Sequence, residues 1–328
     1  MAPIRVASIQ ASPVTYDLEK TLDKLRKLAT EAANEGAQLL VFPEAFLSVY
    51  PRHSGFKIGA RTEQDREWFR KYAGSSVKVP DDAEGVDWVS AHPDTVEFAA
   101  FRSLSQTAKD LQIYLSVGII EHSLVGTTLW CTNLLFSPEG ILLSKHRKLQ
   151  PTAAERVVWG QGQARNVSAY DPKQSTDNLP VVSTPLGKIG GLICWENFMP
   201  LPRYALYKKG VEIYTAPTAD GRDTWAPAMQ HIAQEGRCFV ISANQYHKSS
   251  DFPEDYPAQI AGSDEVWSRG GSVIVNPLGQ ILAGPLWDKE GVLVADIDVD
   301  LIPGYKLDFD PIGHYSREDL FDFAVKAQ

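Results

Sequence analysis

Leu134-Leu135-Phe136-Ser137-Pro138-Glu139-Gly140-Ile141-Leu142 is echoed in the second half of the chain by Ile274-Val275-Asn276-Pro277-Leu278-Gly279-Gln280-Ile281-Leu282. Each reads as a strand, a turn and a return strand, with Pro and Gly marking the turn. The flanking sequence repeats the same grammar. Before the first copy come a strand over Ile4–Gln10 and a helix with Leu18, Leu22, Leu25, Ala29 and Ala32 at helical spacing. Asp17 is its N-cap and Gly36 its stop. Next come an apolar strand over Gln38–Phe42, a helix carrying Phe98, Phe101, Leu104, Ala108 and Leu111, and a strand over Ile113–Ile120. The second half runs through strand Lys188–Ile193, ending at Cys194, helix Pro200–Lys209 closed by Gly210, and strand Val211–Ala216. A helix over about 224–237, strand Cys238–Asn244 and a closing strand Val292–Val299 follow. Alternating strands and helices in two similar halves predict an α/β fold in which each sheet carries helices on its outer face. Packed together, the sheets form a four-layer α-β-β-α sandwich. It is expected to be one domain over residues 1–328, with a core of about 4–297 and a C-terminal extension of 298–328. His53–Pro93 and Lys248–Trp267 are polar and read as irregular surface insertions near a site or a subunit contact.

Composition narrows the chemistry. Of the 328 residues, 44% are hydrophobic and 22% charged, enough to build a large core, and the net charge of −9 comes without a basic patch. Nucleic acid is therefore not an expected partner. No apolar run is long enough for a membrane span, and the N-terminus enters a strand directly rather than a leader segment. Three cysteines at long spacings (Cys131, Cys194, Cys238) exclude a disulfide framework and point to a cytoplasmic location. They form no CxxC pair, and the seven histidines form no HxxxH pair, so no metal is expected. Gly160-Gln161-Gly162 lacks the third glycine of a dinucleotide loop, Arg165 standing in its place. Walker and GxSxG motifs are absent, so no cofactor is expected.

Three strand ends carry reactive groups. Cys194, in Gly190-Gly191-Leu192-Ile193-Cys194-Trp195-Glu196-Asn197, sits at a strand-to-helix junction. A buried cysteine is usually a small core residue, and Cys131 and Cys238 are read that way. Cys194 differs because a polar Trp-Glu-Asn follows it, the glycines before it allow close approach, and a helix beginning beyond it would lower the thiol pKa. Glu44 follows Val41-Phe42-Pro43 in an apolar, aromatic segment where desolvation would make it a better proton acceptor. Lys148 ends Lys145-His146-Arg147-Lys148. A basic exposed turn is the reading kept for Lys145 and Arg147, and alternation alone does not single out Lys148. Glu155 could pair with Lys148 or with neighbouring Arg156.

Glu44, Lys148 and Cys194, in this order and in these contexts, resemble the Glu-Lys-Cys triad of the nitrilase superfamily of carbon–nitrogen hydrolases. The resemblance covers roughly Ile4 to Ile297. Phe42-Pro43-Glu44-Ala45-Phe46, His146 to Arg156, Val158-Trp159-Gly160-Gln161-Gly162 and Cys194 to Pro200 look like the nitrilase branch. Cyanide-degrading relatives usually carry histidine where Asn197 stands. The resemblance implies that Glu44 is the general base and Cys194 the nucleophile. It makes Glu155 a second glutamate orienting Lys148 and substrate, and the Trp195 N–H a stabiliser of the developing anion. It also places His231 near the substrate pocket; Tyr50 and Trp159 are candidate pocket walls. The implied activity is hydrolysis of an organic nitrile to a carboxylic acid and ammonia through a thioimidate and a thioester. An amidase or cyanide hydratase on the same scaffold is the alternative, and a non-catalytic assembly protein a more distant one. A homodimer or larger homo-oligomer is implied as well.

Overall fold

Parity along the strands builds the layers. The computed structural model describes residues 3–53, 61–93, 95–171, 173–259 and 262–326. In β1 (Ile4–Gln10), Ile4 and Val6 join one apolar cluster while Ala7 and Ile9 join another. In β2 (Leu39–Val41), Leu39 and Val41 face the first cluster and Leu40 the second. Strands buried on both faces need apolar residues at every position, which is why these segments read as continuous apolar runs rather than alternating ones.

Around them lie α1 (Leu18–Asn34), α2 (Glu63–Gly74), β3 (Val77–Lys78), α3 (Trp88–Ala91) and α4 (Ala99–Leu111). The half is completed by β4 (Tyr114–His122), β5 (Leu129–Phe136) and β6 (Leu142–Arg147). Asp17 caps α1 through the Lys20 N–H, as the sequence predicts. Leu25, Ala29 and Ala32 of α1 and Phe101, Leu104 and Ala108 of α4 pack on the sheet's outer face. Truncating Leu104 to Ala there costs about 2–5 kcal/mol.

After a small ribbon of β7 (Arg165–Val167) and β8 (Ser175–Asp177) come β9 (Val181–Thr184), β10 (Gly187–Gly191), α5 (Pro200–Lys208) and β11 (Ile213–Thr215). Next are α6 (Trp225–Gly236), β12 (Phe239–Ser242), β13 (Tyr246–Lys248), β14 (Val266–Val275), β15 (Ile281–Trp287), β16 (Gly291–Ile297) and α7 (Ile302–Tyr305). Leu206, Met229, Ile232 and Ala233 of α5 and α6 cover the outer face of this second sheet. Between the sheets, Val6, Leu39, Val41 and Leu135 meet Ile189, Ile213, Phe239, Ile241 and Ile274. Three apolar seams separate four layers, the expected α-β-β-α sandwich.

The sheet orders are β16-β1-β2-β4-β5-β6, with β3 beside β4, and β13-β14-β12-β11-β10-β9, with β15 beside β14. The closing strand β16 does not stay with its own half. It pairs antiparallel with β1, Ile4 opposite Ile297 and Gln10 opposite Gly291. The buried side chain of Gln10 adds a polar staple across the seam. Its Oε1 accepts from the Gly271 and Ser272 N–H groups, and its Nε2 donates to the Leu286 and Lys289 carbonyls.

Three expectations need correction. The segment 53–93 is not irregular throughout: Thr62 and Asp65 form a capping box that starts α2, and Trp68 and Tyr72 are buried. These rings pack edge-on to Tyr16, with centroids 5.2 and 6.2 Å away, and Trp68 also meets Tyr256 of the second insertion at 5.2 Å. Residues 54–60 and 260–261 of the two insertions lie outside the described residues. Second, β10 stops at Gly191 rather than Ile193, and Cys194 opens a short 3-10 turn (Cys194–Phe198) ahead of the α-helix, which starts at Pro200 as expected. Third, Lys145 and Arg147 are not an exposed turn. Both are enclosed on Glu121 of β4, Lys145 at 3.1 Å and Arg147 bidentately at 2.6 and 2.8 Å. Among the described residues, no helix is long and apolar enough to cross a membrane.

Candidate active site

Glu44 and Cys194 reach the same place from opposite halves. After β2 the chain passes over β4 so closely that a Cβ on Gly118 would lie 2.2 Å from the Pro43 carbonyl oxygen and 2.8 Å from the Glu44 Cα. Only glycine permits that approach. The Leu47 N–H then bonds to the Gly118 carbonyl, and Gln245 of the second half donates to the Glu44 carbonyl at 2.6 Å. Ala45 adopts a left-handed backbone (φ 50°) and turns the chain.

After β10, a Cβ on Gly191 would lie 1.9 Å from the Thr215 carbonyl oxygen. The Cys194 N–H bonds to Pro217 O at 2.8 Å, and Cys194 itself is left-handed (φ 52°). A non-glycine residue in that region stores strain that the surroundings must hold. Asn197 supplies part of the hold, its Nδ2 donating to the Leu192 and Cys194 carbonyls at 3.0 and 2.8 Å while Tyr214 donates to its Oδ1. Buried Glu196 supplies more, accepting from the Ile193 and Leu149 N–H groups and from His146 Nε2. Glu196 thus ties the Cys194 turn to the end of β6, where Lys148 stands.

Strand alternation sorts the basic run. Lys145 and Arg147 go to Glu121, while His146 and Lys148 point the other way. Lys148 Nζ donates to Glu44 Oε1 at 2.6 Å and to Glu155 Oε2 at 2.7 Å, joining two carboxylates by one ammonium. Glu155 comes from the 3-10 turn Ala153–Val157. It also accepts from the Thr152 N–H at 2.6 Å and from Tyr50 Oη at 2.7 Å. The Trp159 ring lies 5.4 Å from Lys148 Nζ and edge-on to Tyr50. Glu44, Lys148, Glu155 and Cys194 are each at most 4% exposed.

Burial dominates the electrostatics. It raises the Glu44 carboxyl against the pull of Lys148, and the charge of Glu155 adds to the rise. It raises the Cys194 thiol well above its ordinary value, with Glu44 adding to it and Lys148 and a 3.2 Å hydrogen bond from Thr218 Oγ1 opposing it. The expected lowering by a helix N-terminus is overturned, since no α-helix begins at Cys194 and burial dominates. Burial works against the Lys148 ammonium, but Glu44, Cys194 and Glu155 outweigh it and hold its pKa well above normal. The thiol, the ammonium and the Glu44 carboxyl are thus all pushed upward together. Glu44 Oε2 has no hydrogen-bond partner among the described residues.

Trp195 begins the first turn after Cys194, where an N–H has no intrahelical acceptor. Its indole donates to Asp220 at 2.9 Å. His231 is not brought to the cluster. Its side chain is 67% exposed on α6, 3.8 Å from Glu235. The reason is phase: Trp225, Ala226, Met229, Ile232, Ala233 and Gly236 form the inward stripe, and position 231 falls outside it. The sequence reading also passed over two groups at the site. Cys131, taken as core, donates its thiol to Glu44 Oε1 at 3.6 Å, and Thr218 bonds the Cys194 sulfur. Parity in β5 could have flagged Cys131, because its carbonyl accepts the Lys148 N–H; Thr218 lies in a loop without a pattern.

The family model described as carbon–nitrogen hydrolase matches residues 5–306. An aliphatic nitrilase of Sinorhizobium fredii is 44% identical over 99% of this chain and 96% of its own length. The bifunctional nitrilase/nitrile hydratase NIT4B of Nicotiana tabacum is also 44% identical, over 98% of this chain and 86% of its own. Among solved structures, Saccharomyces cerevisiae Nit3 superposes with a TM-score of 0.70 at 22% identity, covering 96% of this chain and 97% of that one. At that identity the likeness speaks to fold alone.

Proposed function

The chain belongs to the carbon–nitrogen hydrolase family, and on that premise we propose that it is a nitrilase, hydrolysing an organic nitrile to the carboxylic acid and ammonia through a covalent bond to Cys194. The observation that carries the reading is the enclosed Glu44–Lys148–Glu155 bridge beside the thiol that opens the Cys194–Phe198 turn. A nitrile carbon is a weak electrophile, and attack places negative charge on nitrogen. Glu44 takes the Cys194 proton as sulfur adds to the carbon. The Lys148 ammonium and the Trp195 N–H stabilise the developing anion in a site where charge is poorly screened. Return of a proton to nitrogen gives the thioimidate.

Water, deprotonated by Glu44, then adds to the thioimidate carbon. The nitrogen leaves as ammonia after receiving a proton, and a thioester remains. A second water releases the acid and restores the thiol. Loss of sulfur rather than nitrogen from the tetrahedral intermediate releases an amide instead. Glu155 holds Lys148 in place, while Tyr50 and Trp159 wall the bridge. We propose further that residues 1–328 act as one domain, in the cytoplasm, as a homodimer or larger homo-oligomer. The test is ammonia, acid and amide release from a panel of aliphatic, arylaliphatic and dinitrile substrates, with Cys194→Ala as control. Acid plus ammonia, lost in the variant, supports the reading. Consumption of amides with nitriles untouched marks an amidase, and amide as the sole product from cyanide marks a hydratase.

A further inference from the structure

Arg52 differs from the other partly or fully buried arginines in its unmet donors. Arg147 is paired with Glu121, Arg203 with Glu235 and Arg237 with Asp308, while Arg102 and Arg165 spend their donors on carbonyls and a serine hydroxyl. Among the described residues, Arg52 has no carboxylate. A guanidinium carries five N–H donors, and among the described residues the acceptor for Arg52 is the Ala219 carbonyl, which takes a bond from Nη2. Its Nε is fully enclosed and has no partner among the described residues. The ring of Tyr50 lies 5.1 Å from the guanidinium carbon and holds the plane in place. Tyr256 Oη donates to the Arg52 carbonyl at 2.8 Å, so the backbone is anchored as well.

The position matters. Tyr50, two residues earlier, bonds to Glu155. Ala219 directly follows Thr218, which bonds to the Cys194 sulfur. Arg52 thus spans the loop carrying Glu44 and the loop lining Cys194. The nearby carboxylates face other partners: Glu44 Oε1 and Glu155 Oε2 take Lys148, and Asp220 takes Arg222 and the Trp195 indole. Burial pulls the Arg52 guanidinium below its ordinary value, and Tyr50, Glu44, Cys194 and Asp220 only partly oppose that. An enclosed cation with unused donors is costly unless an anion completes it, and a planar guanidinium is matched best by a carboxylate.

We infer that Arg52 is a specificity-determining residue that receives a carboxylate carried by the substrate, which makes the substrate class a nitrile bearing a carboxylate on a short chain. The inference rests on the nitrilase reading for the reacting end and on Arg52 for the distal end. A site built to pair a charged group rejects the uncharged analogue more strongly than an apolar wall rejects a change of size, because desolvated donors are otherwise left unpaired.

The test compares kcat/KM for cyanopropanoate and the uncharged pentanenitrile in the wild type, Arg52→Gln and Arg52→Lys, with binding of both to Cys194→Ala measured by calorimetry. The wild type is expected to favour cyanopropanoate. Arg52→Gln should lower the ratio of the two kcat/KM values by about tenfold or more, mainly through KM for the anion, and Arg52→Lys should fall between. A wild type indifferent to the charge, or a ratio unchanged in Arg52→Gln, overturns the inference. Should Arg52→Gln fail to fold, the Cys194→Ala titration decides: tighter binding of cyanopropanoate supports Arg52 as its receptor, and equal binding overturns it. Selective binding without turnover of either nitrile would strike the nitrilase reading and leave the assignment of Arg52 standing.

Discussion

The turn carrying Glu44 and the turn carrying Cys194 are built alike but strained differently. Each follows a strand that pairs parallel with a neighbour, and each relies on a glycine contact that no side chain could replace, Gly118 under Pro43 and Gly191 against Thr215. Each contains a left-handed non-glycine residue. In the first turn that residue is Ala45, beside the proposed base. In the second it is Cys194, the proposed nucleophile itself. Glu44 is aimed by its side-chain partners, Lys148 and Cys131, whereas Cys194 is aimed by its backbone through Pro217, Asn197 and Glu196. One turn tolerates a change of side chain without losing its shape, and the other joins shape and chemistry in a single residue.

The largest effect should come from side chains. Glu44→Gln leaves its turn intact and removes the base, so kcat should fall by about 10²–10⁴-fold in steady-state assays while thermal unfolding stays near wild type. Acid should break the scaffold that both turns share. The enclosed Glu121 carboxyl, held by Lys145 and Arg147 against its own burial, is lowered from 4.5 to about 2. A lowered carboxylate gives stability that is fully present above the unfolded value and is lost as pH falls through the folded one. Denaturant titrations should therefore show a loss on the order of 3 kcal/mol between pH 4.5 and about 2, much reduced in Glu121→Gln.

The glycine contacts come next. Gly191→Ala and Gly118→Ala should each cost about 1–3 kcal/mol in chemical denaturation. Activity should fall with both, more steeply for Gly191→Ala because the displaced segment contains the nucleophile. The smallest effect belongs to Cys131→Ala. Its thiol favours the ionised form of Glu44, which burial already raises, so its loss should move the acid limb of the kcat/KM profile to higher pH by less than about one unit.

Much of this was legible in the letters. The paired strand-turn-strand phrases gave two halves, the apolar strands gave sheets covered on both faces, and strand ends located Glu44, Cys194 and Lys148. What escaped were partnerships between distant segments. Nothing local to Lys145 or Arg147 announces Glu121, which lies two strands away in the sheet. Helix α2 hid because its polar residues outnumber its apolar ones, although Thr62 and Asp65 have capping spacing and Trp68 and Tyr72 share a face. His231 was placed by resemblance, while the helical phase of α6, readable from Met229, Ile232 and Ala233, already turned it outward.

The pairing of β16 with β1 ties the two extremities of the core into one ladder. A nascent chain lacking Gly291–Ile297 leaves β1 with a naked border, its backbone donors and acceptors available to any passing strand. Maturation of the first half thus waits for a segment made about 280 residues later, Gly291 after Gln10. Truncations before Gly291 should yield sticky, protease-sensitive intermediates rather than a smaller working enzyme.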